Sequence, residues 1–191
     1  MLDATAGPLL DGIRLARDRV VIAAPFLSLA VARDISRAAL ASGVKTKLLL
    51  TALNDNAVRG GFLDPTGLVL LQESGFEIRS ARNLHAKVAL IDGESGIIGS
   101  GNLTTQGLGA KKRRNLELGV RLRPAQAHSA EKITKRWWTK ADPVSRSTLN
   151  RYIAMKPSMR NLARIGPDLA RSGPGRVANV GICPVVTGIF S

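Results

Sequence analysis

The 191 residues contain two histidines, and the first, His85, opens a set of polar pairs spaced two apart: His85 with Lys87, Ser100 with Asn102, and Asn115 with Glu117. An imidazole can attack phosphorus or carry a proton near neutral pH, and an ammonium can hold an oxyanion. Hydroxyl and carboxamide groups can donate to the same oxyanion, while a carboxylate can fix an imidazole tautomer. Side chains two apart on a strand point the same way. The opposite parity is apolar around the first pair (Leu84, Ala86, Val88, Leu90) and the third (Leu116, Leu118, Val120). Three strands would therefore converge a nucleophile or base, a cation, neutral hydrogen-bonding groups and a carboxylate on one face of a small sheet. Asp92 has the opposite parity from His85 and ends its strand, so it is expected to brace a turn or a neighbouring backbone rather than touch substrate. Two-metal chemistry needs clustered carboxylates. Asp55 stands alone between Asn54 and Asn56, and neither a metal nor another cofactor is expected.

These strands need a scaffold, and the chain before them alternates helix and strand. Leu9, Ile13, Ala16 and Val20 recur at helical spacing, and Arg19–Phe26 then reads as a buried strand ended by Pro25. Ser28 can cap a helix through Leu40, stopped by Gly43. Val44–Leu53 is a second strand, Asp64-Pro65 opens a short helix closed by Gly75, and Phe76–Ser80 is a third strand. From Leu84 strands follow in quick succession. Leu84–Asp92 turns at Asp92-Gly93 and Ile97–Asn102 returns beside it; a basic loop, Thr104–Arg114, leads to Asn115–Leu122. Pro124 starts a helix to about Lys140. The expectation is an α/β fold with a mixed β-sheet flanked by helices on both faces. Residues 1–142 form the domain. Residues 143–191 are a basic, Gly/Pro-containing C-terminal extension that could pack as an arm, stay disordered or serve a partner chain.

The net charge of +14 is unevenly distributed. Residues 1–120 hold 15 basic and 11 acidic side chains, residues 121–191 hold 13 and 3. Such an excess favours a polyanionic partner, because each Lys or Arg laid on a phosphate releases counterions. One cysteine rules out an intramolecular disulfide framework. The longest apolar stretch, Val20–Ala32, has 13 residues interrupted by Pro25 and Ser28, too short to span a bilayer. No membrane segment is expected, and the cytoplasm is the default location. Trp137 and Trp138 could stack bases, although in such a pair one ring more often fills the core while its neighbour covers an edge or interface.

The run His85-x-Lys87-x4-Asp92, followed by Gly99-Ser100-x-Asn102, resembles the signature of the phospholipase D superfamily, HxK(x)4D(x)6GSxN. Six fixed residues at fixed spacing arise by chance on the order of once in a hundred million starts when each type occurs at a few per cent. The resemblance covers most of residues 1–140, including Asn115-x-Glu117. It implies that His85 forms a covalent phosphohistidine while a second motif's histidine protonates the leaving oxygen. Lys87, Ser100 and Asn102 would hold the non-bridging oxygens, and Glu117 would fix the His85 tautomer. Asp92 belongs to the same catalytic motif.

Family members use two motif copies per active site and this chain carries one, since His128 lacks the spacing and falls on a helix. A homodimer is therefore expected to complete the site, with DNA or RNA as substrate and Asn115, Lys111, Lys112, Arg113 and Arg114 as substrate contacts. Two alternatives remain. A phospholipase D or phosphatidyl transferase would need an apolar cleft for acyl chains, and a non-catalytic nucleic-acid-binding module would be marked by a broken motif.

Overall fold

Strands covered on both faces read as continuous apolar runs rather than as alternations, and the first two strands do so. In the computed structural model, which describes residues 1–109 and 115–155, Ala6–Leu15 (α1) precedes Arg19–Ala23 (β1), and Leu29–Ser42 (α2) crosses to Thr46–Thr51 (β2). Asp55–Arg59 (α3) and Pro65–Glu73 (α4) lead to Glu77–Ser80 (β3). Val88–Ile91 (β4), Ser95–Gly99 (β5) and Gly119–Leu122 (β6) follow with no helix between them. Pro124–Lys140 (α5), Asp142–Pro143 (β7) and Arg146–Met155 (α6) complete the described chain.

The strands form one mixed sheet in the order β6-β5-β4-β1-β2-β3-β7. β1, β2 and β3 run parallel, while β4 turns antiparallel against β1 and β5 and β6 continue the meander. Alternate residues feed two cores. Val20, Ile22, Leu49, Ile78 and Ala89 face α1, α2, α4 and α6. Val21, Ala23, Leu50, Val88 and Leu90 face α5. The fold is α/β with helices on both faces of a mixed sheet, as the alternation predicts.

Local signals set the element ends. Gly43 closes α2 in the left-handed region at φ 64°. The Asp64 carboxylate accepts the Thr66 N–H at 3.0 Å where Pro65 opens α4. Asn54 Oδ1 accepts the Ala57 N–H at 2.9 Å and starts α3, a helix too short to show a periodicity. Helix α6 also lies outside the expected pattern, because only Leu149 and Tyr152 supply its buried face. It packs against α3 and α4 within a unit that spans Met1–Lys156.

Two strands are shorter than their alternation suggests: β4 begins at Val88 rather than Leu84, and β6 at Gly119 rather than Asn115. The β4 ladder stops because β1 ends. Ala23 pairs with Val88, and Pro25, two residues on, has no N–H to extend the pairing.

At the opposite end of β4, Asp92 and Gly93 take positive φ of 54° and 73°, forming the expected tight turn. The Asp92 carboxylate accepts backbone N–H groups from Arg17 at 3.1 Å, Asp18 at 2.9 Å and Arg19 at 2.9 Å, tying the β4–β5 turn to the start of β1. Burial works to raise its pKa. The Arg19, Asp18 and Arg17 N–H groups and the Arg19 charge outweigh burial and hold the carboxyl below the ordinary value. A carboxylate depressed in the folded state adds stability above its unfolded pKa, and that contribution fades as pH falls through the folded value. Asp92→Ala is expected to cost about 2–4 kcal/mol near neutral pH. Denaturant titration in acid, where the carboxyl is protonated, should give a distinctly smaller loss, and an equal loss at both pH values would contradict this role.

Candidate active site

The register puts the polar pairs at one end of the sheet. Val88 pairs with Ile98 and Ile98 with Val120, while Gly99 pairs with Gly119. His85 and Lys87 thus lie just before β4, Ser100 and Asn102 just after β5, and Asn115 and Glu117 just before β6. This is also the carboxyl end of the parallel strands, where open α/β sheets commonly bind ligands. The hydrogen bonds from Gly99 N–H to the Lys87 carbonyl (3.1 Å) and from Ser100 N–H to the Leu118 carbonyl (3.1 Å) carry the alignment past the strand ends.

Glycines make this close approach possible. A Cβ at Gly99 would come within 2.8 Å of the Leu118 carbonyl, and one at Gly101 would collide with the Gly107 carbonyl. Ser100 and Asn102 are thus held by a backbone that passes nearer to its neighbours than a side chain allows.

Within the site, Lys87 Nζ donates to the His85 carbonyl at 2.7 Å and straddles the imidazole, 3.3 Å from Nδ1 and 3.4 Å from Nε2. Ser100 Oγ donates to Glu117 Oε2 at 2.5 Å and accepts the Leu118 N–H at 3.1 Å. Asn115 Nδ2 donates to Glu117 Oε1 at 3.1 Å. Both carboxylate oxygens are therefore engaged, one by Ser100 and one by Asn115, and the hydrogen bonds of the described residues do not join Glu117 to His85. Desolvation holds the Lys87 ammonium below the usual lysine pKa, with the Glu117 charge pulling it partly back. Asn102 Oδ1 is buried with no hydrogen-bond partner among the described residues. An imidazole, an ammonium and a hydroxyl beside a carboxamide form a set able to bind and attack an anionic phosphoryl group.

The structure brings together His85 with Lys87, and Ser100 with Asn115 and Glu117. It does not bring Asp92 to them, because that residue ends β4 at the far side of the sheet. Lys111, Lys112, Arg113 and Arg114 lie outside the described residues. His128 sits on α5, its Nδ1 3.0 Å from the Pro124 carbonyl. No cluster of three or more potential metal ligands occurs among the described residues. The sequence reading missed a groove on the other flank of His85, lined by residues 81–86, Trp137 and Lys140; its one linear hint was Arg82, three positions before the histidine.

Residues 9–138 match a family described as cardiolipin synthase, PLD-like domain. Nuc from Salmonella typhimurium, a phospholipase D family member, aligns with a TM-score of 0.59 at 22% identity over 72% of this chain and 89% of its own. NucT from Helicobacter pylori gives 0.53 at 17% identity, over 73% and 91% respectively. TrmBL2, an archaeal chromatin protein described as showing a novel mode of DNA binding, gives 0.51 at 15% identity over 74% of this chain and 51% of its own. No curated protein matches.

The paired charges provide a test. Glu117→Gln removes the group that favours the charged lysine, so the Lys87 pKa should fall further below its usual value, as read by NMR titration of the side-chain ammonium. An unchanged or raised value would show that the two groups are not coupled.

Proposed function

The chain belongs to the phospholipase D superfamily, and from that premise we propose that it is a metal-independent phosphodiesterase, most simply an endonuclease on DNA or RNA, whose active site is shared by two identical chains. The convergence of His85, Lys87, Ser100 and Glu117 at one sheet end, in a chain with only one such motif, carries this reading. The His85 imidazole attacks phosphorus, forming a P–N bond as the P–O bond to the leaving group breaks. The second chain's copy of the same histidine donates the leaving oxygen its proton. That histidine, now neutral, takes a proton from the water that cleaves the phosphohistidine. Lys87, Ser100 and Asn102 stabilise charge on the non-bridging oxygens, with no metal needed. Glu117, which does not bond its own His85, is available as the acceptor that orients an imidazole across the shared pocket. Asn115 and the Lys111–Arg114 run would contact flanking phosphates.

Exposed apolar residues support the dimer. Ile98 and Val120 are paired on the α5 face of the sheet, and the exposed Leu118 and Leu116 precede Val120 at the same parity. A strip of this kind on a monomer marks a surface that another chain covers. A symmetric partner there would set two half-sites together.

Two further readings have a specific support each. The family description names a lipid-synthesising enzyme, and a chromatin protein described as binding DNA shares the fold, which suits a nucleic-acid-binding module. Among the described residues no helix is long and apolar enough to cross a membrane.

Incubation with supercoiled plasmid in EDTA should give nicked circles, and His85→Ala should lower the rate by at least ~10³-fold. Loss of activity with the chelator, or survival of the variant, overturns the mechanism; cleavage of phosphatidylglycerol in preference to plasmid would move the substrate to lipid. Leu118→Asp, at a side chain 54% exposed, should yield a folded monomer without activity by light scattering and nicking assay. An active monomer would refute the shared site.

A further inference from the structure

The groove beside His85 has a volume of about 400 Å³, within the range of small-molecule and nucleotide subsites. It is walled by the loop from β3 to β4 and by the last turns of α5. The two adjacent tryptophans of that helix have separate fates. Trp138 packs into the second core with the Arg79 guanidinium 4.8 Å from its ring centroid. Trp137 turns outward, lines the groove and is 37% exposed. Lys140, three positions further on and so on the same helix face, stands beside it, Arg82 closes the other side, and the lining contains no acidic residue.

The same helix carries Lys132, Lys135 and Arg136 as well, none of them in an ion pair among the described residues. Its one acid, Glu131, is held by Arg19 at 2.6 Å. An aromatic face between cations, continuing into a basic helix, suits a base and its flanking phosphates. An acyl chain would gain nothing from the charges.

We propose that this groove is a single-strand nucleic-acid subsite, in which a nucleobase next to the phosphate at His85 stacks on Trp137 while Lys140 and Arg82 hold the adjoining phosphates. The assignment rests on the phosphodiesterase reading for its substrate class. A base in a duplex has both faces covered by its neighbours, so the subsite selects single or locally opened strands.

The test is binding rather than cleavage, so it stands apart from whether the enzyme turns over. In a His85→Ala background, fluorescein-labelled oligothymidylate and a blunt duplex of equal length are titrated in low salt. The single strand should bind more tightly and quench tryptophan emission. Trp137→Ala should weaken single-strand binding roughly ten-fold and erase the preference over duplex. Trp137→Phe should keep the affinity but lose most of the quenching. Lys140→Gln should weaken both ligands and flatten the salt dependence. The inference is overturned by equal single-strand affinity in Trp137→Ala and the parent, by unquenched emission on saturation, or by an initial preference for duplex.

Discussion

The antiparallel pairing of β4 against β1 is the constraint on which the site depends. Parallel strands put all their carboxyl ends on one side, and reversing direction at β4 brings that strand's amino end to the same side. The β4–β5–β6 meander then delivers one chain end after another there: the segment before β4, the segment after β5, the segment before β6. A parallel β4 would have carried His85 and Lys87 to the opposite end of the sheet. Asp92 secures the reversal from behind, holding three consecutive backbone N–H groups at the start of β1 while it turns the chain from β4 into β5.

The chemistry is therefore built on strand ends rather than strand middles. Side chains in the middle of β1 or β2 are closed in by helices on both faces, whereas those beyond the ladder are supported by backbone yet open to a substrate. Lys87 shows the compromise. Desolvation lowers its pKa from the ordinary lysine value, and the Glu117 carboxylate partly offsets that shift. The absent side chains at Gly99 and Gly101 let Ser100 and the Glu117 segment approach closely, giving the position of the hydroxyl a backbone cause.

Cover on the two faces is unequal. Among the described residues, α1, α2, α4 and α6 cover one side and α5 alone lies across the other, packing along part of the width. Its inward residues, Ala127 and Thr134, are small and fully buried, and Trp138 seals the margin. Where α5 does not reach, Ile98 and Val120 remain exposed. One structural economy thus leaves both an apolar strip for a second chain and a basic, aromatic helix face toward solvent.

The amino-acid order determined the alternating elements, the helix stop at Gly43, the helix start at Pro124, the turn at Asp92-Gly93 and the identity of the polar pairs, because each depends on residue type and near spacing. The opposite parity of Asp92 was legible for the same reason. Strand lengths were not, since β4 begins where its antiparallel partner β1 ends, a fact belonging to the partner. Helix α6 was hidden by having only two buried residues, and their neighbours come from α3 and α4. Only folding decided that Glu117 bonds Ser100 and Asn115, and that of two adjacent tryptophans one packs and the other lines a groove. Those outcomes depend on which surfaces meet across long separations in the chain, and local spacing carries no record of them.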